Sequence, residues 1–262
     1  MLHDDRSIHR FSDSSFAIEA DRLALEVLVE LKTTERILTR LLATPHDIEH
    51  LTVGHLFLEH DLDITPEQLV LKHLDNGTVS VLVNGLEGTT PLYERPSVVT
   101  SSCGACDHPH LHNRLEVDRA GPPSSDTVSM EQLTKGFQVM RSRQPGFEAT
   151  GGMHAALLLD QGENHIICED IGRHNAVDKA WGSWRSEHRD RRPRALLLSG
   201  RVGWDVVAKA ARMGVHTIAS VGAASTMAAD TARSHNITLV SFWKPHSSVV
   251  IGRLEGLNDT NN

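Results

Sequence analysis

The sequence lacks any apolar run long enough to cross a membrane. A membrane helix needs roughly 18 or more consecutive apolar residues, and no stretch of this chain approaches that length. The amino terminus is acidic and polar, with no apolar signal segment behind it. These absences predict a cytoplasmic protein with no membrane partner.

Positive charge is in deficit, and aromatic residues are few. The chain has 26 Lys and Arg residues against 34 Asp and Glu residues, a formal net charge of −8. A nucleic-acid partner is therefore not expected, because a phosphate backbone favours a surplus of cations. Aromatic residues make up only 4%, but an apolar fraction of 39% over 262 residues is adequate for one large domain or two smaller ones.

Cysteine is scarce, with three residues, and only Cys103 and Cys106 are close in sequence. This is a poor disulfide framework, and in a reducing compartment a CxxC pair is more often metal-binding or reactive. The pair lies in the run TSSCGAC at 100–106, whose small residues leave a thiol approachable. It is compatible with metal binding, dithiol exchange or carriage of sulfur as a persulfide. The third cysteine, Cys168, lies in an apolar strand and is predicted to be a buried small hydrophobe.

A zinc site is one alternative for the cysteine segment. Three histidines follow the pair closely: His108, His110 and His112. Structural zinc sites usually take their second pair of ligands from a separate segment, which this sequence does not show. A thioredoxin-like dithiol is less favoured, because its first cysteine begins a helix and Pro109 disfavours helix at the preceding residue.

The sequence predicts three parts. Residues 1–20 are polar and irregular and predict a flexible arm. The run GPPSSD at 121–126 predicts a linker. We therefore expect an N-terminal α+β domain over 21–120, which ends in the CxxC loop, and an α/β domain over 121–262.

The N-terminal domain has clear local signals. The segment 23–31 looks like a strand, and Thr44 can cap a helix that runs to about His60. Apolar runs at 68–73 and 78–83 flank a D-N-G turn, which predicts a β-hairpin.

The C-terminal domain alternates strands and helices. Ser129 and Gln132 form a capping box for a helix through Arg143, which Pro145 and Gly146 then stop. The alternation that follows is typical of a sheet covered by helices. Strands are predicted at 155–159, 165–168, 195–198, 215–221 and 237–243, and helices at 174–187, 205–213 and 224–235.

Three glycine-containing segments, at 150–154, 169–175 and 199–203, fall where these strands end or helices begin. Ligands of open α/β sheets bind outside the carboxyl ends of the strands. Glycines let backbone N–H groups approach an anion, and an arginine can pair with a phosphate. Each segment alone is more often a turn, and Asp170 could equally cap the following helix. The pocket candidates are Gly151, Gly152, His154, Asp170, Arg173, His174 and Arg201.

Several segments together carry a known pattern. They are SCGAC at 102–106, TGGMHAA at 150–156 and EDIGRHNAVDK at 169–179, joined by ATPHDIE at 43–49, AAST at 223–226 and LVSFWKP at 239–245. In this order the segments resemble the FdhD family, the formate dehydrogenase accessory sulfurtransferases. The match covers most of the chain from about residue 23.

The resemblance implies a sulfur carrier. Such proteins accept sulfur from a cysteine desulfurase as a persulfide and deliver it to the molybdenum (or tungsten) bis(molybdopterin guanine dinucleotide) cofactor. The sulfurated cofactor then activates the catalytic subunit of formate dehydrogenase. In this chain the persulfide carrier would be Cys103, with Cys106 assisting.

The resemblance also implies a fold, a cofactor segment and an assembly. The class is α/β, with a C-terminal cytidine deaminase-like three-layer sandwich and a smaller N-terminal α+β domain, and the protein is expected to form a homodimer. Alternation along the last strand predicts that only one of its two aromatic residues faces a pocket. The cofactor segment falls on Phe242, Trp243, Lys244, Pro245, His246 and Ser247.

The chain departs from the family at one position of the cysteine segment. Asp107 stands where glycine is common, and a carboxylate there disfavours the thiolate of Cys106 and so favours Cys103 as the carrier.

Two other functions stay open. A zinc-binding deaminase-like hydrolase would need an H-x-E motif, which does not occur in the sequence. A non-catalytic guanine-nucleotide-binding module would leave the cysteines incidental.

Overall fold

A computed structural model describes residues 2–86, 98–99, 128–160, 164–254 and 257. Its strands form a two-stranded ribbon, a five-stranded sheet and a six-stranded sheet. Across these ranges, none of the helices is both long enough and apolar enough to traverse a bilayer.

The chain begins with a regular antiparallel ribbon. Strands β1 (His3–Ser12) and β2 (Ser15–Ala24) pair along their whole length. Asp13 and Ser14 connect them with φ of 48° and 64°, as the type I′ turn of a two-residue hairpin requires. The expectation of an irregular arm over 1–20 is therefore wrong. Both faces of the ribbon carry exposed side chains, so burial imposes no clean apolar alternation on its sequence.

The five-stranded sheet and one helix form the N-terminal unit. The strands have the order β5-β6-β3-β4-β7, and apolar side chains of the sheet pack with helix α1 in one core. The hairpin predicted around the D-N-G turn is confirmed, whereas the strand predicted at 23–31 is divided between β2 and β3. The elements are β3 (Val27–Lys32), β4 (Ile37–Ala43), α1 (Ile48–His60), a 3₁₀ turn (Pro66–Gln68), β5 (Leu69–His73), β6 (Val79–Val83) and β7 (Val98–Val99).

The six-stranded sheet lies in the C-terminal part, with the strand order β13-β12-β11-β10-β8-β9. The alternation of strands and helices predicted from the sequence is confirmed. Its helices are α2 (Met130–Ser142), α3 (Pro145–Thr150), α4 (Arg173–Glu187), α5 (Trp204–Met213) and α6 (Thr226–Ser234). Its strands are β8 (His154–Leu159), β9 (His165–Asp170), β10 (Ala195–Leu198), β11 (Thr217–Ser220), β12 (Thr238–Lys244) and β13 (Ser247–Ile251).

Strand directions bring several chain segments to one edge of this sheet. β10, β11 and β12 are parallel, and β8 is antiparallel to both β10 and β9. β13 is antiparallel to β12. The carboxyl ends of β9, β10, β11 and β12 therefore meet the amino ends of β8 and β13. We call this side of the sheet the binding edge.

Helices cover both faces of the six-stranded sheet. Helices α4, α5 and α6 share a core with one face, and α2 packs on the other face through Leu133, Phe137 and Met140. The α/β class is thus confirmed. Assignment to the cytidine deaminase-like type stays a prediction. The domain limits also stay a prediction, because the linker at 121–126 lies outside the described residues.

Of the two predicted helix caps, the one at Ser129 is confirmed and the one at Thr44 is wrong. Ser129 and Gln132 form the predicted capping box of α2. Pro145 was predicted to stop that helix. It is also the first residue of the short helix α3. Thr44 does not cap α1. The residue before α1 is Asp47, which has a φ of 52° and no capping side-chain bond. Strands β4 and β13 were not predicted.

The two halves of the chain meet where α1 crosses α4. A Cβ atom built on Gly54 of α1 would lie 1.8 Å from the carbonyl oxygen of Asp178, and one built on Gly182 of α4 would lie 1.9 Å from that of His50. Neither position has room for a side chain. Each helix therefore rests directly on the backbone of the other.

This contact makes Gly54→Ala a sensitive test of the fold. Alanine would normally favour a helix over glycine, but here the methyl group must push the two helices apart. We expect the free energy of unfolding to fall by roughly 2–4 kcal/mol, measured by urea denaturation.

Gly152→Ala is the matched control, because the nearest atom to its added Cβ lies 3.7 Å away. Its free energy of unfolding should change by no more than about 0.5 kcal/mol. A Gly54→Ala protein as stable as wild type would show that the crossing is not tight.

Candidate functional site

The binding edge gathers the glycine-containing segments singled out in the sequence. Gly151 and Gly152 precede β8, Arg173 begins the helix after β9, and Arg201 follows β10. These segments are distant in sequence, and the order and direction of the strands bring them together.

A cleft of about 420 Å³ opens at this edge. Four of the predicted residues line it, namely Gly151, Gly152, His154 and Trp243. Helices α2 and α3 supply a wall that the sequence did not predict as part of a site. The lining residues of these helices are Phe137, Met140, Arg141 and Phe147. The other additional lining residues lie in the connecting segments: Gln144, Met153, Ser199 and Val221.

Trp243 is the central aromatic residue of the cleft. Its ring stacks on Phe137, with the ring centroids 4.1 Å apart and the planes inclined by 22°. Its indole Nε1 is buried and has no hydrogen-bond partner within the described part of the chain. A buried N–H usually has an acceptor, so this donor stands out as unsatisfied among the described residues.

The neighbouring Phe242 points elsewhere. Its φ of 51° falls where β12 has a bulge, and its side chain is 53% exposed. Only Trp243 of the two aromatics lines the cleft, as strand alternation predicted. The rest of the predicted cofactor segment forms the exposed turn from β12 into β13: Lys244, Pro245, His246 and Ser247.

Positive charge surrounds His154. The imidazole is half-buried, and this desolvation, together with the guanidinium groups of Arg173 and Arg201, lowers the pKa of His154, whereas Asp170 opposes the shift. A Cβ atom on Gly200 would lie 3.0 Å from Nδ1 of His154, so glycine there leaves room for the ring. The imidazole is neutral near pH 7 and can take up a proton when an anion binds.

Arg173 has unused capacity to bind an anion. Its Nε is buried and makes no hydrogen bond to the described residues. Arg173 lies in the first turn of α4, whose N-cap is Gly172, and the N-cap of α5 is Gly203. Neither glycine can cap its helix with a side chain. First-turn N–H groups carry partial positive charge. Arg173, Arg201 and these helix ends make the binding edge suitable for a phosphate or a similar anion.

Asp170 has a structural role. Its carboxylate is fully buried and accepts bonds from the backbone N–H of Thr44 at 3.0 Å, the backbone N–H of Gly172 at 2.7 Å and the Asn175 amide at 3.0 Å. Lys179 lies 2.7 Å from it and also donates to the Thr44 carbonyl at 3.0 Å. Asp170 is thus occupied in joining β4 to the start of α4.

His174 is also engaged. Its side chain is nearly buried and contacts the carboxylate of Asp205, in the first turn of α5. The pair ties the start of α4 to the start of α5. Four of the predicted pocket residues do not line the cleft: Asp170, Arg173, His174 and Arg201. Asp170 and His174 instead hold the binding edge in shape.

The cysteine segment lies outside the described residues, together with His108, His110 and His112. Among the residues that are described, no three or more His, Cys, Asp or Glu side chains are grouped as metal ligands would be. Cys168 is 6% exposed, and burial raises its pKa to about 12. It is the buried, unreactive thiol that the sequence predicted.

The chain is similar to a family of known proteins over most of its length. A model of the FdhD/NarQ family matches residues 24–254. The sulfur carrier protein FdhD of Sulfolobus acidocaldarius is 33% identical over 245 residues, which cover 92% of each chain. The protein of the same name from Mycobacterium tuberculosis is 32% identical over 268 residues, which cover 95% of this chain and 96% of that one.

A solved structure shares the fold. The crystal structure of a protein described as a formate dehydrogenase accessory protein, from Desulfotalea psychrophila, superposes with a TM-score of 0.74. The superposition covers 98% of this chain and all of that one, at 21% sequence identity. With the family match over residues 24–254 and relatives above 30% identity across nearly the whole sequence, the chain belongs to the FdhD/NarQ family.

Proposed function

We propose that this protein is a sulfur carrier in the maturation of formate dehydrogenase. The observation that carries the proposal is the combination, in a member of this family, of a CxxC pair with an aromatic cleft at the strand ends and with Arg173 and Arg201 at the same edge of the sheet. The pair supplies the transferable sulfur, and the cleft holds the molecule that receives it.

Sulfur would reach the protein by persulfide exchange. The thiolate of Cys103 attacks the outer sulfur of a cysteine desulfurase persulfide, an S–S bond forms on Cys103, and the desulfurase cysteine leaves as a thiolate. Only the sulfane sulfur changes carrier, so no external oxidant or reductant is needed. Cys106 would assist delivery, and Asp107 beside it disfavours the thiolate of Cys106 rather than that of Cys103.

The receiving molecule would be the molybdenum bis(molybdopterin guanine dinucleotide) cofactor, bound as a substrate. The residues of the binding edge fit such a molecule. Trp243 and Phe137 offer a flat aromatic surface with an unused indole N–H, and Arg173 and Arg201 can hold a diphosphate. The Lys244 and His246 side chains on the adjacent exposed turn can contact the parts that extend from the cleft.

Replacing the carrier cysteine should abolish sulfur transfer and leave the fold intact. After incubation with desulfurase and cysteine, mass spectrometry of the wild-type protein should show the mass gain of one sulfur on the peptide that contains Cys103. Cys103→Ala should lose this gain and fail to activate formate dehydrogenase.

Cys168→Ser is the matched control, because that thiol is buried and its pKa is about 12; it should load sulfur normally. Full activation of formate dehydrogenase by Cys103→Ala would overturn the assignment. One tightly bound zinc per chain with no persulfide would instead favour the zinc alternative.

The cationic residues should set the affinity for a diphosphate. GDP-mannose is a suitable probe, since its diphosphate is fully ionised near neutral pH and its charge does not change there. Arg173→Gln should weaken its binding roughly 10- to 100-fold, because a charge-assisted hydrogen bond is lost, as measured by calorimetry. Arg192→Gln, an exposed arginine at the opposite side of the sheet, should leave the affinity unchanged. Equal effects of the two substitutions would refute a local anion site.

Binding of GDP-mannose should also tighten as the pH falls. The pKa of His154 is lowered in the free protein, and a bound anion stabilises the protonated ring and so raises that pKa. Affinity therefore increases as the pH falls from about 7.5 toward the lowered pKa, with proton uptake visible as a dependence of the binding heat on the buffer. His154→Asn should remove the pH dependence and spare most of the affinity at high pH. A pH dependence that persists in His154→Asn would assign it to another group.

A further inference from the structure

One wall of the cleft is a short helix, α3, with little buried surface. It has six residues, of which only Gly146 is buried, and its N-cap residue, Gln144, makes no capping side-chain hydrogen bond. The position of this helix nevertheless sets much of the shape of the cleft. Five of the twelve residues that line the cleft lie in or beside α3, between 144 and 153: Gln144, Phe147, Gly151, Gly152 and Met153.

Glu169, on β9, supplies the capping bonds that Gln144 does not make. Its two carboxylate oxygens accept hydrogen bonds from the backbone N–H groups of Gly146 and Phe147, each at 2.8 Å. These are the second and third residues of α3, whose N–H groups an N-cap side chain would ordinarily bond. A side chain from a different element of the fold therefore takes the place of the N-cap side chain.

Gly146 permits this close approach of α3 to β9. A Cβ atom built at that position would lie 2.2 Å from the Sδ atom of Met153 and 3.1 Å from Oε2 of Glu169. The start of α3 can thus reach the carboxylate because residue 146 has no side chain.

The pairing of β8 with β9 holds Glu169 itself in place. Glu169 lies opposite Ala155 in the antiparallel register, and Asp170 lies opposite His154, the first residue of β8. Helix α3 runs into β8 through residues 151–153. Both ends of α3 are therefore attached to the same two strands, the carboxyl end through the chain and the amino end through Glu169.

We propose that Glu169 is a positioning residue of the cleft. Its carboxylate holds the amino end of α3 against β9 and so places the ring of Phe147, which is 48% exposed and lines the cleft together with Trp243. An aromatic side chain that is already in position loses less conformational freedom when a flat ligand stacks on it. Glu169 does not line the cleft itself. The inference rests on the proposed function only in taking the cleft as the binding site.

Electrostatics and positioning predict opposite results for Glu169→Gln. Glutamine keeps the size of the side chain, but it has one acceptor oxygen, and its NH₂ group would face a backbone N–H. Loss of a negative charge at the binding edge would by itself strengthen the binding of GDP-mannose. Displacement of α3 should instead weaken that binding about tenfold, as measured by calorimetry.

Glu148→Gln is the matched control. Glu148 lies in the first turn of the same helix and is exposed, and its replacement changes the net charge by the same amount. The affinity for GDP-mannose should stay the same or rise slightly. Unchanged or tighter binding by Glu169→Gln as well would overturn the proposal.

Phe147 should be the residue through which Glu169 acts. Phe147→Ala removes the stacking surface and should weaken binding of GDP-mannose roughly tenfold, but it keeps the backbone N–H that Glu169 bonds. In this background Glu169→Gln should weaken binding by less than about twofold, because no ring is left to misplace. Fully additive losses would refute a role that passes through Phe147.

A local cap separates stabilisation of the helix from its placement. Gln144→Ser puts a hydroxyl group at the N-cap, where it can accept a hydrogen bond from the same N–H groups. Combined with Glu169→Gln, it caps α3 without connecting the helix to β9. The affinity of the double variant for GDP-mannose should therefore stay about tenfold below that of Gln144→Ser alone. Recovery of the affinity would show that Glu169 serves only as a cap.

Amide hydrogen exchange tests the attachment of α3 without any ligand. In Glu169→Gln the N–H groups of Gly146 and Phe147 should exchange at least about tenfold faster than in the wild type, because charge-assisted bonds no longer protect them. Glu148→Gln should exchange as the wild type does. Unchanged exchange in Glu169→Gln would refute the attachment. Faster exchange in that variant, with no binding of GDP-mannose by the wild type, would support the attachment and contradict the proposed ligand of the cleft.

Discussion

The direct backbone contact between α1 and α4 is the constraint on which the rest of the structure depends. Gly54 and Gly182 bring the helices together without intervening side chains. Helix α1 belongs to the core of the five-stranded sheet, and α4 covers the six-stranded sheet and begins at the binding edge. The crossing therefore fixes the N-terminal unit against the helix that presents Arg173.

Buried charged groups link the helices at this junction. Lys209 lies 2.5 Å from Asp178 and 3.1 Å from Glu59, and His55 lies 3.0 Å from Asp178. Burial alone would lower the pKa of Lys209, but the two carboxylates outweigh it and the pKa is raised. Removing one member of such a group leaves an uncompensated charge, which is strongly destabilising. These four groups tie α1, α4 and α5 to one another.

Local signals in the sequence predicted helices and hairpins better than they predicted the long-range contacts of individual side chains. The capping box at Ser129 and the D-N-G hairpin depend on neighbouring residues, and both were recognised. Thr44 looked like a cap because it precedes a helix, but its backbone N–H and hydroxyl bond to the Asp170 carboxylate and to the N–H of Ile171, more than 120 residues away. Phe137 was not predicted as a site residue, and only the packing of α2 on the sheet shows that it lines the cleft. Long-range partners of this kind leave no local pattern.

The burial of Cys168 has a practical consequence. Its sulfur lies in β9 within the core shared with α4, and it stays protonated at any ordinary pH. Alkylating reagents, which consume thiolates, can therefore modify this position only after β9 and α4 have separated. The rate at which Cys168 is labelled therefore reports the rate at which this core opens.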